Sequence, residues 1–187
     1  MLHVTKETLH KNVCEDYRVL LRADAELLLP SAYEKIADFY RRVGDACMEW
    51  VIGGEGERLR ARYLSLEDHM ERARVRTVCY HLRVIPVWET EDHAAFVCRS
   101  TLSASGETPS EYVMSQLWNL SEQTVLPSRQ VLRLCPPAER QRPPFRPDGV
   151  YPQGDFLVFY KNERETQTAI EFRLRCREER EEVVSKS

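Results

Sequence analysis

Residues 31–54 read SAYEKIADFYRRVGDACMEWVIGG, and this stretch sets the class of fold. Ile36, Phe39, Tyr40, Val43, Cys47, Trp50 and Val51 recur at three- and four-residue steps, while Arg41, Arg42, Asp45 and Glu49 fall off that stripe. An α-helix burying one face needs this period. Ser31 and Glu34 have capping-box spacing, in which the serine accepts from the backbone N–H of residue 34 and the glutamate reaches back. Gly53-Gly54 supplies the left-handed conformation that stops a helix. The pattern predicts a helix over residues 31–52.

Upstream, Tyr17 to Leu29 is rich in Val and Leu and runs into Pro30. A proline disfavours helix in the residue before it, so this is read as a strand. Residues 1–15 are polar and mixed and read as a frayed lead-in. Downstream, Glu55 to Arg74 is helical in pattern, with Leu59, Tyr63, Leu66 and Met70 on one side and a break near Ser65. From Val75 the period changes to two, through Ile85. Apolar groups on both faces mark this as a central strand, closed or bulged at Pro86. Ala94–Ser103 and Glu111–Leu120 follow as strands, with turns at residues 89–93 and 121–123. Short links between consecutive strands predict an antiparallel meander.

Residues 124–135 fit a short strand or a helix. Pro136, Pro137, Pro143, Pro144, Pro147 and Pro152 predict an irregular loop over 136–152. Asp155–Lys161 and Thr168–Arg175 pair as a hairpin across Asn162–Gln167, and the charged tail after Cys176 reads as loose. The expected whole is one α+β domain over residues 1–187, with an ordered core at 17–175. An antiparallel sheet of four to six strands packs against one long and one shorter helix.

The chain has 187 residues, of which 42% are hydrophobic and 30% charged, enough for a core under a solvated surface. Its net charge of -3 gives no global basic excess, so nucleic acid is not expected as a partner. The arginines at 58, 60, 62, 72, 74, 76 and 83 are diluted by Glu57, Glu67, Asp68 and Glu71, as on a solvated helix face. No apolar run approaches the roughly 20 residues that span a bilayer, and residues 1–7 hold no apolar signal core. A cytoplasmic location without membrane contact is the expectation. Six cysteines are scattered without a C-x-x-C pair, which argues against structural zinc. Cys47, Cys79 and Cys98 read as small buried hydrophobes.

No two of His3, His10, His69, His81 and His93 stand at a metal-binding helical spacing. Gly53-Gly54-Glu55-Gly56 lies between helices and matches neither a P-loop nor a dinucleotide fingerprint. A G-x-S-x-G elbow is absent. No catalytic, cofactor-binding or metal residue is assigned. Trp50, Trp88 and Trp118 are large anchors, read first as core. Beside Pro86, Trp88 also suits a binding surface at a sheet edge. Pro144-Phe145-Arg146-Pro147 has polyproline-ligand spacing within an arginine-bearing loop. The candidate interaction surface is therefore Trp88, Arg142, Phe145 and Arg146.

Four stretches carry a family resemblance: Tyr33-Glu34-Lys35-Ile36-Ala37-Asp38-Phe39-Tyr40 after the Pro30 strand, Ser100-Thr101-Leu102-Ser103 with a Gly106-containing loop, Ser115-Gln116-Leu117-Trp118-Asn119-Leu120, and residues 153–163 (QGDFLVFYKNE). In this order they resemble the domain of unknown function in the C-terminal half of a lysozyme-sensing anti-sigma factor. The same domain type precedes some polysaccharide deacetylases and occurs alone in Gram-positive anaerobes. Residues 103–108 lack the family's glycine-rich, histidine-containing turn, and the Pro/Arg loop stands where the family has a helix. The resemblance implies the fold and a non-enzymatic binding role, with no functional residue carried over. The expected function is a protein-binding or regulatory module. A small-ligand binder or enzyme with a helix–sheet cleft, and a structural homodimer, are the alternatives.

Overall fold

The computed structural model describes residues 2–104, 107–138 and 141–176. The tail expected to be loose, the Ser105-Gly106 pair and Glu139-Arg140 of the Pro/Arg loop lie outside the described residues. β1 (Val4–Glu15) and β2 (Arg18–Pro30) form a long antiparallel hairpin, so the expected frayed lead-in is an edge strand. Its turn places Asp16 and Tyr17 at φ of 47° and 64°. Such a turn matches the hairpin's twist but usually carries Asn or Gly, and neither stands at residues 16–17, so no turn signal marks the hairpin.

α1 (Glu34–Val51) runs back over the hairpin. Its expected capping box does not form. The Ser31 hydroxyl instead donates to the His3 carbonyl at 3.1 Å and meets Thr5 Oγ1 at 3.0 Å, both on the first strand's side of the hairpin. The freed N-terminal N–H of Lys35 is taken by Gln123 Oε1 at 3.0 Å. The helix does not stop at Gly53 either. A π-helical turn, Ile52–Gly56, leads into α2 (Glu57–Ser65), giving one helical run of 32 residues. Leu59 and Tyr63 bury against the hairpin, and that burial outweighs the local preference of two glycines. The chain breaks after Ser65 as expected. α3 (His69–Arg74) follows, with Asp68 accepting from the Met70 N–H at 2.8 Å.

β3 (Val78–Glu89) pairs with β2 in parallel, which corrects the expected all-antiparallel sheet. A crossover as long as this helical run is what a parallel pair requires. The meander β3, β4 (His93–Ala104), β5 (Ser110–Asn119) and β6 (Thr124–Leu126) then forms as predicted, giving the order β1-β2-β3-β4-β5-β6. Residues 124–135 hold both the short strand and a helix, α4 (Ser128–Leu134). β7 (Gly149–Gln153), β8 (Phe156–Glu163) and β9 (Thr168–Arg175) build a second sheet. β7 begins inside the predicted loop. Pro152 is tolerated because β7 lies at the edge of its sheet.

The result is three layers: helices, the mixed six-stranded sheet and the three-stranded sheet. On one face Ile36, Tyr40 and Met48 meet Leu21, Leu27, Leu82 and Phe96. On the other, Ala95 and Leu117 meet Leu157, Phe159 and Leu174. Ala94 through Cys98 are all buried because β4 is covered from both sides. The last hairpin also closes the open edge of β5. Asn162 exchanges two 2.8 Å hydrogen bonds with the Val113 backbone, and Tyr160 accepts from the Ser115 N–H at 2.9 Å. An unpaired strand edge is thereby covered. No helix among the described residues is long and apolar enough to cross a membrane.

Candidate functional site

The helical layer does not cover the whole six-stranded sheet. Ile36, Ala37, Tyr40, Gly44, Met48 and Val51 form the buried stripe of α1, rotated from the expected one. Gly44 sets this rotation, since a side chain there would press on Leu27 and Leu9. Phe39, Val43 and Cys47 are only half-buried, and Trp50 is 69% exposed, which corrects its assignment to the core. Beyond that wall, the ends of β4 and β5 carry Ser100 opposite Tyr112 and Leu102 opposite Ser110.

This leaves an open cleft of about 590 Å³. Cys47, Trp50 and the Glu55–Arg58 ion pair line its helical wall. Tyr80, Leu102 and Tyr112 line its sheet side, and Tyr112 is 57% exposed. The turn after β8, with Glu163, Arg164 and Gln167, closes one end. That turn is pinned to β5, the Glu111 N–H donating to the Gln167 carbonyl at 2.7 Å. The walls are thus aromatic and aliphatic, and the rim carries both signs of charge.

Burial, with the neighbouring Cys47, pushes the Tyr80 hydroxyl well above its usual range, against a hydrogen bond with Ser100 that favours ionisation. Burial likewise raises the adjacent Cys98 thiol to about 12. Both shifts move away from neutrality, so these groups stay protonated and neutral at pH 7. Of the three cysteines expected in the core, Cys98 is buried, Cys47 half-buried and Cys79 exposed. Cys79 lies on the open face of β3, where Val78, Tyr80, Leu82 and Val84 take the buried positions.

The sequence-derived surface lies elsewhere. Trp88 follows a bulge in β3 at Pro86 and is half-buried. It packs, with Phe145, against the apolar cluster between the sheets. Arg142 and Arg146 are exposed. Trp88 also borders a smaller hollow of about 420 Å³ with Cys135, Asp155 and Cys176. Sequence reasoning missed Trp50 and Tyr112 as site residues. The small residues Ala37 and Gly44 were the signal for where the helix touches the sheet, and they put Trp50 outside that contact.

A helical layer, a mixed sheet and a second small sheet, with an open helix–sheet cleft, define a three-layer α+β domain. No protein-family model matches the chain, and no curated protein matches its sequence. Two solved structures of the DUF3298 family share its fold. One, from Pseudomonas aeruginosa PAO1, has a TM-score of 0.54 at 10% identity, with 94% of this chain and 91% of that chain covered. The other, from Bacteroides fragilis NCTC 9343, has a TM-score of 0.59 at 8% identity, with 93% and 90% covered. At such identities the likeness is one of fold. It agrees with a domain of unknown function.

Proposed function

We propose that this chain is a non-enzymatic binding module that receives a segment of a partner protein in the helix–sheet cleft. The observation that carries this reading is the pair Trp50 and Tyr112, 69% and 57% exposed, lining one cleft of about 590 Å³. Large aromatics left in water are costly for a monomer and are the side chains that most often anchor protein contacts. Rim charges of both signs suit a peptide, whose backbone and side chains offer donors and acceptors together. The sequence resemblance to a domain of unknown function in an anti-sigma factor leans toward a non-enzymatic binding role. The upward shift at Tyr80 leaves it unsuited to acid–base work near pH 7.

The cleft volume also fits a small ligand, which is the second reading. The candidate surface at Trp88, Phe145, Arg142 and Arg146 is distinct from the cleft, since Trp88 and Phe145 pack on the face of the six-stranded sheet opposite α1. Pairing of two copies along the outer edge of β1 is disfavoured by Lys6, His10 and Lys11, which are exposed on that strand.

The test compares capture from host lysate by the wild type, by Trp50→Ala/Tyr112→Ala and by Arg142→Ala/Arg146→Ala, each shown by circular dichroism to be folded. One stoichiometric partner lost only with the cleft variant is the expected result. Retention of that partner by the cleft variant overturns the cleft as the site, and its loss with the arginine variant moves the site to the loop. A thermal shift with metabolites but no captured protein favours the small-ligand reading.

A further inference from the structure

The far side of the molecule holds a feature that the cleft does not use. Cys135 ends α4 and Cys176 follows β9, yet both line one hollow and the segments that carry them are paired. Two backbone features hold the segments that carry them. Pro137 and Cys176 form an antiparallel bridge, and the Ala138 N–H donates to the Arg175 carbonyl at 2.8 Å. The Cys176 N–H is itself fixed on the Asp155 carbonyl at 2.7 Å, and the Cys135 N–H on the Val131 carbonyl at 2.8 Å. Neither sulfur rests on a loose chain end.

The two sulfurs differ in access. Cys135 is buried and Cys176 half-exposed, and both border the open hollow beside Trp88. A small thiol reagent meets the more exposed Cys176 first, with Cys135 lining the same hollow. Burial holds the Cys176 thiol above its usual value and slows its attack at neutral pH. The other close pair lacks such access, because Cys98 is buried against Cys47 and Tyr80 in the helical core.

We propose that Cys135 and Cys176 form a reversible disulfide that staples the three-stranded sheet. All of β7, β8 and β9 lies between these two positions, so the bond closes the whole second sheet into one covalent loop. The oxidant is a small-molecule disulfide such as oxidised glutathione. The Cys176 thiol gives up its proton and its sulfur attacks one sulfur of the oxidant, whose S–S bond breaks and releases one thiol. Cys135 then loses its proton and attacks the Cys176 sulfur, releasing the second thiol. Two protein thiols are oxidised to one disulfide and the reagent disulfide is reduced to two thiols.

The full chain is incubated with oxidised glutathione, the remaining thiols are alkylated, and non-reduced peptides are mapped by mass spectrometry. The expected product is a peptide pair joined through Cys135 and Cys176. A rise in melting temperature of about 5–10 °C should accompany it, as loop closure of this length implies. Dithiothreitol should reverse both changes. Cys135→Ser and Cys176→Ser, both in hollow-lining positions, should each abolish the temperature shift. A stable glutathione adduct on Cys176 without the joined peptide overturns the proposal. So does a joined peptide that forms only in denaturant, or one that leaves the melting temperature unchanged.

Discussion

Trp118 of β5 donates its indole N–H to the hydroxyl of Tyr40 on α1 at 2.9 Å, in a buried site. The bond ties the helical layer to the far side of the meander. Phe39 and Phe96 pack on the same rings, with centroids 5.3 Å from Trp118 and 5.0 Å from Tyr40 respectively. Burial raises the Tyr40 hydroxyl well above its usual range, against the bond from Trp118, so it stays protonated. The hydroxyl is the partner that lets an indole N–H sit in an apolar core.

Tyr40→Phe removes that partner and leaves the N–H unsatisfied, at an expected cost of about 1–3 kcal/mol. Tyr112→Phe, at an exposed position, should change stability by less than about 0.5 kcal/mol. Urea denaturation of both variants measures the difference. Equal midpoints would show that the Tyr40–Trp118 bond makes no net contribution.

A further polar tie between the two sheets is Glu171, which accepts from Arg99, from the Tyr151 hydroxyl at 3.1 Å and from Arg173 at 3.3 Å. Burial alone would raise its carboxyl, but the hydrogen bonds led by Arg99 prevail and hold it below the usual value of 4.5. A carboxyl held low contributes stability above its ordinary value, and that contribution fades as pH falls through the lowered one. The stability gap between wild type and Glu171→Gln should therefore be full at neutral pH and should shrink on acidification below 4.5. Chemical denaturation over pH 7 to 3 reads it. A gap that stays constant would mean the charge on Glu171 does not tie the sheets.

Much of this fold was legible because its signals are local. The strands at 94–103 and 111–120 and the final hairpin are set by apolar content and by the turn residues beside each segment, and all three formed. The failures share a cause: each was decided by a partner far along the chain. Ser31 abandons its capping box because β1 offers the His3 carbonyl, and Gln123 supplies the cap from the meander's last turn. Gly53-Gly54 stays helical because Leu59 and Tyr63 find a core beyond it. A helix–sheet cleft entered the sequence reading only as part of the small-ligand or enzyme alternative, with none of its residues assigned. Trp50 faces water only because Gly44 turns α1, and that needs the positions of Leu27 and Leu9.

The cysteines should separate by accessibility in the native state. Cys14 and Cys79 are exposed, while Cys98 is buried with its thiol raised to about 12. Thiolate is the reactive form, so iodoacetamide at pH 8 should label Cys14 and Cys79 early. Cys98 should react only as the chain unfolds. Peptide mapping over a time course follows each site. Early labelling of Cys98 would place it outside the helix–sheet core.

The π-helical turn gives the sharpest test of how the helices pass over the hairpin. A side-chain carbon added at Gly54 would meet nothing within 4 Å, and its φ is not in the left-handed region. Gly54→Ala should therefore stabilise the protein by about 0.4–1 kcal/mol, through lost freedom in the unfolded chain. Gly56 is two residues on and has the opposite surroundings. A carbon there would lie 2.8 Å from Val13 Cγ2 and 3.4 Å from Leu21 Cδ2. Val13 is β-branched and buried in β1, so it has little room to turn away. Gly56→Ala should cost about 1–3 kcal/mol by overpacking. Thermal and urea unfolding of the two variants should give shifts of opposite sign. Shifts of the same sign would mean that the turn does not press Gly56 against the first hairpin, and the path of α2 over β1 and β2 would have to be redrawn.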